Sequence, residues 1–279
     1  HEWKEQSKDP IDSIISMLSC EAILDIIKNY LFIRIEFGNQ TKVITRYMQY
    51  RATNKVVNRI IDNITGKEEK NKGLIWHWQG SGKTLEMIFA ANKLYNSKLL
   101  ENPTIFFIVD RTDLQEQLSD EFNALDISKP EVITSIHELK KILKHDDYKG
   151  KRGIFITLIH KFKPEELNEL RKELENISKN NDTILNRKNV VAFIDEGHRT
   201  QYGTLAAQMR NILRNAFFFA FTGTPISKPK FGIDTYEVFS YPPEEKYLDK
   251  YFIVDSIKDG FTVRIAYQPR LEKDVHLKK

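Results

Sequence analysis

A chain of 279 residues with 41% apolar content is long enough to bury one large α/β core with further segments around it. Its 43 Lys and Arg stand against 39 Asp and Glu, a net charge of +4, which permits a polyanionic partner without demanding one. A single cysteine, Cys20, excludes an intrachain disulfide, and no stretch approaches the roughly 20 apolar residues of a membrane span, so the expectation is a cytoplasmic protein with no membrane partner.

The polar start at residues 1–10 carries neither a signal-peptide pattern nor an initiator Met, which predicts a piece of a longer polypeptide. Ile11 to Phe37 reads as helix, with Ile14, Ile15, Leu18, Ile23, Leu24 and Ile27 as its packing positions. From residue 41 the pattern becomes strand, turn, helix, repeated. Leu74–His77 is a short apolar strand, followed by a glycine loop and a helix over Thr84–Tyr95. Thr104–Val109, Glu131–Thr134 and Gly153–Leu158 are further strands, and Leu114–Phe122, Ile136–Leu143 and Lys163–Ile177 are helices. Pro164 suits the first turn of the last of these. Val190–Ile194 is a wholly apolar strand ending in acids, and Phe217–Phe221 another ending in Thr222-Gly223-Thr224-Pro225. Tyr241-Pro242-Pro243 looks like a linker, and the alternation over Phe261–Tyr267 predicts a strand that opens a second domain.

Apolar strands alternating with helices imply an α/β fold, a parallel sheet with helices on both faces. The expected division is an N-terminal helical segment over 1–40, the main domain over 41–240, and a linker with the start of a second domain over 241–279. Right-handed crossovers put every strand's C-terminal end on one edge, so the glycine loop, the acids and the Thr-Gly-Thr-Pro segment are expected to converge there.

Each of these segments has a chemistry. Gly80-Ser81-Gly82-Lys83-Thr84 lies between strand and helix, as a phosphate loop requires. Glycines let backbone N–H groups approach phosphate oxygens, the following helix points its positive end at them, Lys83 reaches the β and γ phosphates, and the Thr84 hydroxyl can hold Mg²⁺. The first glycine of the general pattern is replaced by His77. Two adjacent acids closing a buried strand, Asp195 and Glu196, are costly without a cation. Mg²⁺ held through Asp195 supplies one, and leaves Glu196 to orient or deprotonate an attacking water. His198 is placed to sense the γ-phosphate or to reach the Thr-Gly-Thr-Pro segment.

Taken together, Gly80–Thr84 resembles motif I and Asp195-Glu196-Gly197-His198 motif II of superfamily 2 helicases, and Thr222-Gly223-Thr224-Pro225 resembles motif III. The words Gly73–His77, Val109–Leu114 and Ile156–Phe162 narrow the resemblance to the motor subunit of type I restriction endonucleases, in which a histidine commonly stands where this chain has His77. The resemblance spans roughly residues 10–270. It implies a RecA-like ATP-dependent translocase that moves double-stranded DNA and works with separate modification and specificity subunits, with ATP and Mg²⁺ as its cofactors. It also implies a nuclease domain before the motor and a second RecA-like domain after it. Glu2-Trp3-Lys4 has the acid-x-Lys form of a nuclease motif but no upstream metal-binding acid, and reads as chance.

The resemblance further marks Arg46–Arg51 as the adenine-recognising segment, with Gln49 choosing the base and Arg46 or Tyr47 stacking on it. Thr222, Gly223 and Thr224 are the coupling residues, and Arg111, Thr112, Thr157 and Lys161 the candidates for nucleic-acid phosphate. A strand-separating superfamily 2 helicase of another pathway and a nucleotide-binding regulatory module remain open alternatives at this point.

Overall fold

A computed structural model of the chain describes residues 3, 9–36, 38–109, 111–179, 183–195, 207–227 and 234–264. In chain order the elements are α1 (Pro10–Met17), α2 (Cys20–Asn29), β1 (Leu31–Glu36), β2 (Asn39–Ile44), α3 (Tyr47–Ile64), β3 (Lys72–His77), α4 (Lys83–Tyr95), β4 (Thr104–Val109), α5 (Thr112–Ala124) and β5 (Glu131–Ile133). There follow α6 (Ile136–Leu143), the single turn α7 (His145–Tyr148), β6 (Gly153–Leu158), α8 (Pro164–Ile177), β7 (Val190–Asp195), β8 (Phe217–Thr222), α9 (Thr235–Phe239), β9 (Asp249–Tyr251) and α10 (Ile253–Lys258).

Seven strands form one sheet in the order β5-β6-β4-β7-β8-β3-β9, and every neighbouring pair is parallel. The strand alternation of two divides each central strand between two cores. Phe106 and Ile108 of β4 and Ala192 and Ile194 of β7 turn toward α6 and α8, where Leu139, Leu167 and Leu170 meet them. Ile105, Phe107 and Phe193 turn the other way, onto Val56 and Ile60 of α3, Ile88 of α4 and Leu118 of α5. Strands with both faces covered must be apolar throughout, and β4, β7 and β8 are buried at all positions. The expected α/β sheet with helices on both faces is therefore the observed one.

Several expectations are corrected. The helix over Ile11–Phe37 is two helices and a strand, because Ser19 Oγ accepts the Ala22 N–H and starts a new helix, while Leu31–Glu36 pairs with Asn39–Ile44 as a hairpin. That hairpin crosses the expected boundary at 40/41, so the boundary does not separate two units. The face expected to pack, Ile14, Ile15, Leu18, Leu24 and Ile27, is exposed, and α2 is held instead through Ala22 and Ile26. The segment after 241 is not only a linker: β9 joins the sheet edge beside β3, and Leu248 N donates to Leu74 O at 2.8 Å. Phe261 to Arg264 is not strand, and the rest of the strand expected over Phe261–Tyr267 lies outside the described residues, as does the expected second domain.

Candidate nucleotide site

The parallel sheet fixes where strand ends lie relative to one another. Asp195 pairs in register with Phe221 of β8, and Phe221 with Ile75 of β3. The carboxylate at the end of β7 therefore stands level with the last residues before the glycine loop, two strand spacings or about 10 Å away. Thr222 is in register with Trp76. Trp76 Nε1 donates to Gly223 O at 3.1 Å, and a Cβ on Gly223 would lie 3.4 Å from both Gln79 N and His77 O. Thr222 Oγ1 accepts from Thr224 N at 3.1 Å, which folds the Thr-Gly-Thr turn against the loop.

The loop itself is built for backbone approach. Gly80 and Gly82 have φ of +81° and +90°, the left-handed region where a side chain is strained. A Cβ on Gly82 would collide with Gln49 Nε2, whereas the space beside Gly80 is open. Lys83 begins α4, so its backbone N–H and those after it are the unpaired donors of a helix N-terminus. Neither Lys83 Nζ nor the Thr84 hydroxyl has a hydrogen-bond partner among the described residues, and Ser81 Oγ is buried without one. A triphosphate fits this arrangement: an open cradle, donors without acceptors and one unpaired ammonium.

Gln49, the third residue of α3, spends its amide within the protein. Its Oε1 accepts from Arg46 N at 2.9 Å, and its Nε2 donates to Ser81 O at 3.1 Å and Gly82 O at 3.4 Å. It holds the loop in place here, in contrast to the expectation that it pairs directly with adenine. A cavity of about 490 Å³ opens beside it, lined by Arg46, Tyr47, Gln49, Gly80, Gly82 and Phe261 among others. The Arg46 guanidinium lies over the Phe261 ring, 4.0 Å from its centroid.

The candidate nucleic-acid residues divide. Arg111 and Thr112, at the start of α5 beyond β4, and Lys161, beyond β6, are exposed on the same sheet edge. Thr157 is corrected: it lies within β6, paired with Ile108, and is 0% exposed, so a phosphate cannot reach its hydroxyl through the covering helices. Glu196, Gly197 and His198 lie outside the described residues.

Beneath the loop lies a buried polar cluster that sequence patterns did not announce. His77 donates from Nδ1 to Glu86 Oε1 and from Nε2 to Asp249 Oδ2, both at 2.8 Å. Asp249 also accepts from Arg51 Nε at 2.9 Å and from Lys55 Nζ at 2.8 Å. Burial works against a charged His77, but Glu86 and Asp249 outweigh it and raise its pKa to about 9. Burial likewise disfavours the Asp249 carboxylate, and the bonds from His77 and Arg51 override it, holding Asp249 well below the usual carboxylate range. His77 alone was visible in the sequence, as a departure from the loop pattern. Asp249 sits 172 positions away and carried no signal.

Comparison with known proteins identifies the family. A model of the SWI2/SNF2 ATPase family matches residues 48–279. A putative type I restriction enzyme endonuclease subunit of Methanocaldococcus jannaschii is 36% identical over 99% of this chain and 27% of its own length. The type I restriction enzyme HindI endonuclease subunit of Haemophilus influenzae is 35% identical over 96% of this chain and 26% of its own. A Mycoplasma pneumoniae protein, described as the C-terminal part of a putative type I restriction enzyme endonuclease subunit, is 31% identical over 74% of this chain and 97% of its own length. The chain thus spans about a quarter of the first two relatives and nearly all of the third. With the family model covering most of the chain and these relatives agreeing, the chain belongs to the SWI2/SNF2 ATPase family, among the endonuclease subunits of type I restriction enzymes.

Proposed function

We propose that this chain is the ATP-binding motor domain of a type I restriction enzyme, which hydrolyses ATP to translocate double-stranded DNA in a complex with modification and specificity subunits. The observation that carries the reading is the common sheet edge, where β3 leads into an open phosphate cradle and Asp195 ends β7, in register through Phe221 with Ile75 of β3.

In this reading the backbone of Gly80, Ser81 and Gly82 and the N-terminus of α4 receive the phosphates, and Lys83 neutralises the β and γ oxygens. Thr84 and Asp195, a hydroxyl and a carboxylate, are the oxygen donors that suit Mg²⁺. The ion, when bound, offsets the charge that develops between the β and γ phosphates. Glu196 orients the attacking water, and His198 relates the γ-phosphate to the Thr222-Gly223-Thr224 turn. That turn already touches the loop through Trp76 and Gln79, so a change at the γ position has a short route to it. The cavity beside Gln49 suits the adenine ring, which would exchange with Phe261 as the partner of the Arg46 guanidinium. Arg111, Thr112 and Lys161 contact DNA phosphates, as a motor indifferent to sequence requires. No helix among the described residues is long and apolar enough to cross a membrane, and the reading places the protein in the cytoplasm.

Phosphate release with and without duplex DNA tests this directly. Slow, DNA-stimulated release is expected from the chain alone. Lys83→Ala and Glu196→Gln are expected to lower it by about 100-fold or more, with Glu196→Gln still binding ATP. Release that neither substitution lowers would contradict the reading. A strand-displacement assay separates a translocase from a strand-separating helicase, and no displacement is expected.

A further inference from the structure

We propose that His77 is the positioning residue of the phosphate loop, a staple between Glu86 and Asp249 that sets the loop's span so that Gly80–Thr84 meet the β and γ phosphates. The proposal rests on the nucleotide reading of the site.

The argument starts from where the two ends of the loop are. His77 is the last residue of β3, where the loop begins, and Glu86 lies in the first turn of α4, where it ends. The bond from His77 Nδ1 to Glu86 Oε1 therefore ties entry to exit beneath the residues that would face phosphate. The opposite ring nitrogen reaches Asp249 of β9, which Arg51 and Lys55 of α3 hold from the other side. From the same helix Gln49 grips Ser81 O and Gly82 O, and Thr53 Oγ1 donates to Glu86 O at 3.3 Å. Trp78 N donates to Tyr251 O at 2.8 Å, so β9 also guides the first loop residue.

All three members of the staple, His77, Glu86 and Asp249, are buried to within 2% of completely. Glu86 Oε2 has no hydrogen-bond partner among the described residues, and His77 is the main compensation for that carboxylate. A glycine at 77, as in the general loop, would leave two buried carboxylates without their shared donor, a costly state. The histidine thus turns an unconstrained loop entry into one fixed by two charge-assisted hydrogen bonds.

The test compares affinities of the chain for ATP and for AMP, which shares base, ribose and α-phosphate but lacks the phosphates the loop cradles. His77→Gly, which removes both bonds of the loop's support, is expected to weaken ATP about tenfold and AMP less than about twofold. His77→Gln, which keeps a donor, is expected to recover ATP affinity to within about threefold of wild type. Should the glycine variant fail to fold, Glu86→Gln carries the test, with about threefold weaker ATP and unchanged AMP expected. Equal losses for ATP and AMP, or no loss for either, would overturn the staple. A wild-type chain that binds ATP no better than AMP would instead remove the nucleotide site itself.

Discussion

The two ends of the described chain attach to the sheet by opposite means. The N-terminal helices α1 and α2 and the hairpin β1–β2 carry apolar residues that stay in the open: Ile15 is 64% and Leu24 66% exposed, and Ile33 and Ile35 face outward from the hairpin. Their tie to the body is narrow. Phe32 stacks on Phe89 at 5.6 Å, Tyr30 OH donates to Asn54 Oδ1, and Arg34 pairs with Glu121. The C-terminal segment from 241 onward buries polar groups instead. Asp249 is 2% exposed and gathers His77, Arg51 and Lys55, while Glu245 makes a two-bond pair with Arg59. Tyr47 and Tyr251 hydroxyls both donate to Asp259 Oδ2. Hydrophobic periodicity announces that a face wants cover but not what covers it. A buried ion cluster specifies one partner at one place.

This contrast yields predictions of graded size. Asp249→Asn removes the negative centre from three cationic groups, one of them fully buried. Urea denaturation is expected to register a loss of about 3–5 kcal/mol; a loss below about 1 kcal/mol would erase the distinction between the two ends. Next in size is pH. Because the folded state raises the His77 pKa from 6.5 to about 9, the stabilisation is complete below pH 6.5 and is lost as pH rises through 9. The expected decline is up to about 3 kcal/mol over that window. Denaturation midpoints at pH 6, 7.5 and 9 would measure it, and the decline should vanish in His77→Gln. At the N-terminal end effects should be small. Arg34→Ala is expected to cost no more than about 1 kcal/mol, since Arg34 is part-exposed. Ile15→Glu and Leu24→Glu should each stay within about 0.5 kcal/mol. A large loss from either would mean that their face already has a partner.

The same contrast explains what was legible beforehand. The central strands and their helices were readable because each strand is buried on both faces and must be apolar throughout; the bounds of β4, β6 and α6 agree residue for residue. The convergence of Gly80–Thr84, Asp195 and Thr222–Thr224 followed from parallel topology alone. The N-terminal helix was over-extended because Leu31–Glu36 continues an apolar run whose alternation is evident only once Asn39–Ile44 pairs with it. β9 was missed since three residues, Asp-Lys-Tyr, carry no strand pattern and are held by side chains from β3 and α3. Thr157 stands one residue before the end of β6, where a polar group was expected to be open, and the structure buries it completely. Phe261, expected to begin a strand, lies against Arg46 at the cavity wall.

The central claim is that one sheet edge joins Lys83 and Thr84 to Asp195 around a single Mg-nucleotide. Its most direct test is ATP binding by wild type, Lys83→Ala and Asp195→Asn, each with Mg²⁺ and with the metal chelated. The account predicts tighter wild-type binding with Mg²⁺, weak binding by Lys83→Ala under both conditions, and binding by Asp195→Asn that no longer responds to the metal. An Asp195→Asn chain that keeps the full Mg²⁺ dependence would contradict it.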